Sequence, residues 1–135
     1  MTNDQITKIM DELQSNCPPT HSHVNAVHAL KKQASDTATE KGFWDGLDVD
    51  ERFAEAIALI HSELSEALEA HRNERYGGGD GFQDDTVSVE LADTVIRILD
   101  LADKLDEKHG SCFEADLGTK MIKNKSREYK HGKQY

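Results

Sequence analysis

Two long stretches of this chain repeat apolar residues every three to four positions, and that period leaves little choice of fold. The first carries Phe53, Ile57, Ile60, Leu64, Ala67, Leu68 and His71. The second carries Val87, Val89, Leu91, Ala92, Val95, Ile96, Ile98, Leu99, Ala102 and Leu105. A 3.6-residue period places such positions on one side of a helix, whereas a half-buried strand would need strict alternation. Residues 86–91 come closest to alternating, but they lead directly into helical spacing.

Punctuation elsewhere is sparse. The two prolines stand together at Pro18-Pro19, and glycine concentrates at Gly77-Gly78-Gly79-Asp80-Gly81. The spacing predicts helices over roughly Asn3–Ser15, Thr20–Lys41, Asp48–Arg72, Thr86–His109 and Phe113–Arg127. Asp48-Val-Asp-Glu51 and Ser111-Cys-Phe-Glu114 have the form of capping boxes, and Gly110 stands where a helix C′ residue is expected. The expected fold is all-α: a single domain over 1–135, an antiparallel bundle of about five helices with long central members. Residues 1–19 form a peripheral helix in this reading, and 118–135 a basic C-terminal segment.

Charge bears on function. The net charge of −10 argues against an extended nucleic-acid interface, which needs a basic footprint. With mean hydropathy of −0.71 and 31% charged residues, no segment approaches the length of a membrane span, and a cytoplasmic location is expected. The N-terminus lacks the basic start and apolar stretch of a signal peptide. Cys17 and Cys112 are too few for a disulfide framework. The charge is uneven, however: six basic residues against Glu128 make Gly118–Tyr135 +5, leaving −15 on the remainder. A basic segment beside an acidic body suits a phosphate-bearing ligand that arrives with a metal, or simply balances charge.

Two acidic pairs stand out. Glu63-x-x-Glu66 and Glu90-x-x-Asp93 are spaced i,i+3, so each pair presents its carboxylates on one helix face, one turn apart. Two such pairs on facing helices would converge on a hard divalent cation, because Mg²⁺ prefers carboxylate oxygens. On a helical wheel Glu63 falls on an apolar shoulder bracketed by Ala56, Leu59, Ala67 and Ala70, with Glu66 at its polar edge. A carboxylate there is costly to bury without a compensating cation or hydrogen bonds. The second pair belongs to a stripe of Glu90, Asp93, Arg97, Asp100 and Lys104. That stripe is also readable as a solvated face braced by Asp93–Arg97 and Asp100–Lys104 i,i+4 pairs. Neither the histidines, with His21 and His23 near Cys17, nor the glycine run completes a zinc site or a phosphate-binding loop.

In order along the chain stand Lys41-Gly-Phe-Trp-Asp45, LIHSELSEALEA (59–70), VELADTVIRILDLAD (89–103) and KMIKNKSREYKHGK (120–133). With 23 residues between Glu66 and Glu90, this order resembles the MazG-type all-α nucleoside triphosphate pyrophosphohydrolases, from about residue 24 onward. The resemblance implies hydrolysis of a (deoxy)nucleoside triphosphate to the monophosphate and pyrophosphate, with Mg²⁺ (or Mn²⁺ in its place) on Glu63, Glu66, Glu90 and Asp93. Glu63, in its apolar setting, is the first choice as general base. Lys120, Lys123 and Arg127 would present cations to phosphates from one helical face, Asn124 and Tyr129 would hold substrate, and Trp44 would stack on the base or cap the core. A homodimer or homotetramer is implied. The alternatives are a phosphoribosyl-ATP pyrophosphohydrolase-like enzyme and a non-catalytic helical adaptor or regulator.

Overall fold

The computed structural model describes residues 20–79 and 81–127. Four helices occupy them: α1 (Thr20–Glu40), α2 (Val49–Arg72), α3 (Val87–His109) and α4 (Phe113–Lys125). There is no strand among the described residues, so the expected all-helical bundle is what forms. The expected helix over Asn3–Ser15 lies outside them, as does Tyr129. No described helix is long and apolar enough to cross a membrane.

The chain divides into two compact units, residues 30–109 and residues 1–29 with 110–135. In the first unit α2 and α3 are the closely packed helix pair. They run antiparallel: Lys108 bonds Asp48 at 2.6 Å, while Arg97 bonds Glu63 at 2.6 Å, so positions advance on one helix as they recede on the other. Val49, Ile60 and Leu101 form the buried core, with Trp44, Ala56, Ile57 and Leu105 packed against it. The C-terminal part of α1 is tied to α3 by two long side chains. Lys31, only 4% exposed, bonds Asp106 at 2.6 Å, and Lys32 bonds buried Asp103 at 2.9 Å.

Local chemistry explains the helix ends. Asp48 is the N-cap of α2, extended at φ −92° and ψ 142°, and its Oδ1 accepts from the Asp50 backbone N–H at 2.9 Å. This cap holds without the reciprocal half of a capping box, since Glu51 returns no side-chain bond among the described residues. Lys108 also sits on Asp48 and Asp50 and keeps both carboxyls below the usual range. Between α2 and α3 the chain reverses through Gly77 at φ +88°, where a Cβ would lie 2.9 Å from the Thr86 hydroxyl oxygen. The Val87 N–H to Arg75 carbonyl bond at 2.8 Å closes this connection.

In the second unit the expected box led by Ser111 is not the cap. Cys112 is the N-cap of α4 and its thiol caps no backbone N–H. The acidic residue meant to complete the box, Glu114, is buried and pairs with His28 Nδ1 at 2.6 Å. Helix α4 also stops earlier than expected. Ser126 is its C-cap, with its hydroxyl donating to the Lys123 carbonyl at 2.9 Å, so Arg127 falls beyond the last turn.

Candidate metal centre

The apolar shoulder that carries Glu63 packs α2 against α3, and its neighbours Ala67 and Ala70 are buried there. Glu63 goes in with them and retains 8% exposure. Opposite it, Glu90 enters in the first turn of α3 and retains 7%. Asp93 follows one turn later in a more accessible position. Glu63, Glu90 and Asp93 each offer a carboxylate oxygen, and these oxygens lie within 4.8 Å of one another. Three of the four acids singled out from the sequence thus converge. Glu66 is exposed and outside that trio, as its place on the polar edge of the wheel implies, although its charge still bears on Glu90.

The partners of the three carboxylates differ. Glu63 Oε1 accepts from Arg97 Nε at 2.6 Å, a bond between helices. The expected i,i+4 pairing of Arg97 with Asp93 is replaced by this one, because the buried carboxylate gains more from a cation than the open one does. Glu90, by contrast, has neither a hydrogen bond nor an ion pair to its carboxylate among the described residues. Burial pushes its carboxyl above the ordinary value, and the charges of Glu66, Glu63, Asp93 and Asp85 push it further the same way. A buried carboxylate facing two others is unfavourable unless a cation joins them. Three carboxylates and no soft donor suit Mg²⁺ or Mn²⁺ rather than zinc or copper.

Two of the three, Glu63 and Asp93, open on a cavity of about 850 Å³ lined by α1, the turn after it, α2 and α3. Glu63, Asp93 and Arg97 line it, as do Phe43, Trp44 and Leu91. Trp44 is fixed in its wall: Nε1 donates to both Asp100 oxygens, at 2.9 and 3.1 Å. The Arg52 guanidinium stands 5.5 Å from the ring centroid and the Lys104 ammonium 5.9 Å. Burial raises the Asp100 carboxyl while the Trp44 hydrogen bond opposes the rise. Here too an expected helical pair gives way, since Asp100 serves Trp44 and Lys104 lies near Glu107 at 3.9 Å. The Trp44–Asp100 link spans 56 residues, and nothing in local spacing announces it.

Lys120, Lys123 and Asn124 are exposed on α4, in the other compact unit. Lys120 and Lys123 stand on the helix, and Arg127 lies two residues past its last residue, Lys125. Arg97, which helical spacing pairs with Asp93 on the surface, is instead the cation that meets Glu63. The signal for it was Glu63 itself, an acid on an apolar shoulder that required a cation. Comparisons with protein-family models, curated proteins and solved structures find no match to this chain.

Proposed function

We propose that the chain is a Mg²⁺-dependent hydrolase of (deoxy)nucleoside triphosphates, a MazG-type pyrophosphohydrolase releasing monophosphate and pyrophosphate. The observation that carries this reading is Glu90: a buried carboxylate with no partner among the described residues, within 4.8 Å of Glu63 and Asp93, which themselves line a nucleotide-sized cavity. Glu63, Glu90 and Asp93 would hold the metal, with Glu66 nearby. A bound divalent cation would supply neutralisation of phosphate charge, which otherwise repels a nucleophile.

The protein's own groups account for the remainder. Water attacks the α-phosphorus, the bond from that phosphorus to the bridging oxygen of the β-phosphate breaks, and pyrophosphate leaves with the electron pair. Glu63 was the first choice to take the water proton, yet one of its oxygens is bonded to Arg97. Glu90 has no hydrogen bond or ion pair to its carboxylate among the described residues, so one oxygen can serve the metal and the other can take that proton. Apolar side chains such as Leu91 and Phe43 would enclose the organic part of the substrate.

Assembly through the central helices belongs to the same proposal. Leu64 and Leu68 of α2 are at least 43% exposed and do not line the cavity, so they form an apolar strip on the surface of that helix. A homodimer or homotetramer would cover them.

The test is release of pyrophosphate from each common ribo- and deoxyribonucleoside triphosphate with Mg²⁺ or Mn²⁺. Glu63→Gln, Glu90→Gln and Asp93→Asn should each lower kcat by about 100-fold or more, comparable to losing an essential electrostatic group. Absence of release from every triphosphate by the folded wild-type protein would leave the non-catalytic adaptor as the better account.

A further inference from the structure

Arg97 is used on one edge only. Its Nε donates to Glu63 Oε1 at 2.6 Å, and neither Nη group has a hydrogen bond or ion pair among the described residues. The side chain is 43% exposed and lines the same cavity as Glu63 and Asp93. Guanidinium is planar, so anchoring Nε fixes the plane and leaves the two Nη groups as a fork with four N–H donors. That geometry matches two oxygens of a phosphate, which a fork bonds in parallel.

The other cation lining the cavity is already committed. Arg52 donates to the Phe43 carbonyl, lies 3.5 Å from Glu55 and covers the Trp44 ring. Arg97 is therefore the guanidinium in that wall with donors to offer. Its place beside the carboxylate trio matters for sign. Three carboxylates and one guanidinium carry a net negative charge, so an anion would be repelled until a divalent cation is bound. Arg97 cannot act as an anion site alone, but it can complete one.

We infer that Arg97 forms a phosphate-binding site next to the metal centre: Nε holds Glu63 in place while the Nη fork takes two oxygens of a phosphate or pyrophosphate group. This rests on the metal-centre reading above and adds the residue that recognises the anion. In triphosphate hydrolysis such a fork would meet the charge that grows on the departing pyrophosphate. A lysine here would supply charge without the paired donors, so the site distinguishes the two side chains.

The probe is inorganic pyrophosphate, titrated calorimetrically into the full chain at millimolar Mg²⁺ and again in EDTA. Mg²⁺ alone is titrated in parallel. Wild-type protein should bind pyrophosphate only with Mg²⁺. Arg97→Gln should weaken that binding by about tenfold or more, and Arg97→Lys should recover part of it, as expected for loss of a bidentate charge-assisted pair. Mg²⁺ affinity should stay within about threefold in both variants, since the cation's own ligands remain. Three results would overturn the inference. One is no pyrophosphate binding by the wild-type protein with Mg²⁺. Another is Arg97→Lys binding as tightly as wild type, which would deny the fork. The last is equal loss of Mg²⁺ and pyrophosphate binding, which would reduce Arg97 to a brace for Glu63. Arg97→Lys keeps a cation on Glu63 and so keeps the test valid if Arg97→Gln does not fold. Pyrophosphate binding that depends on Arg97, in a protein that cleaves no triphosphate, would retain this site and reject the proposed hydrolysis.

Discussion

Replacing Glu90 by glutamine should stabilise the metal-free protein and blunt its response to Mg²⁺. The side chain keeps its size, so what changes is one negative charge facing Glu63 and Asp93. Two unit charges 4.8 Å apart repel by about 3.5 kcal/mol at an effective dielectric near 20, and by about 0.9 kcal/mol in bulk water. Arg97 offsets part of the charge on Glu63, and Asp93 is partly solvated, so a gain of about 1–3 kcal/mol is expected from relief of this repulsion. For a chain of this length that corresponds to a rise in Tm of roughly 3–10 °C in EDTA. Excess Mg²⁺ should stabilise wild type further, by about 2.7 kcal/mol at a hundred times its Kd, and the variant much less. The pH dependence carries the opposite sign to that of a salt-bridged acid. Because the folded-state carboxyl lies above its model value of 4.5, wild-type stability from this group is greatest below that value and declines as pH rises through the raised pKa. Glu90→Gln should remove that decline. Thermal melts in EDTA and in Mg²⁺ across this pH range provide the assay. A variant no more stable than wild type in EDTA, with an undiminished Mg²⁺ shift, would refute the convergence of the three carboxylates.

Further perturbations probe the scaffold of the cavity. Trp44→Phe removes the indole N–H from Asp100 and should cost about 1.5–3 kcal/mol by denaturant unfolding, the range for a hydrogen bond to a charged group. Adding Asp100→Asn should recover part of this loss, because the uncompensated carboxylate is then gone. Lys31→Met removes the ammonium that stands 2.6 Å from Asp106 and should destabilise by up to about 3 kcal/mol, whereas the Lys31→Met/Asp106→Leu double variant should lie closer to wild type. A single variant costing nothing would show that this ion pair does not hold α1 in place.

The helices were legible because each signal for them is local. Apolar spacing, Gly110 and the acid at 48 act within a turn or two of their own position, and α2 and α3 begin and end within a residue of where the spacing put them. Expectations failed where a distant group competed. Glu114, placed in a capping box by spacing, is instead bound to His28 across 86 residues. The i,i+4 pairs Asp93–Arg97 and Asp100–Lys104 satisfied helical geometry, yet Glu63 and Trp44 took one partner from each.

The sequence by itself determined the all-helical class and the acids worth weighing, since helical periodicity is enough to put Glu63 on an apolar flank. The partition of those acids was decided only by tertiary structure. Packing α2 against α3 buries Glu63 and Glu90 together, leaves Glu66 outside and hands Arg97 to Glu63. The reason is desolvation: once a carboxylate leaves water, its energy depends on which charge faces it across the helix interface, and residues 34 positions apart meet only after the chain has folded.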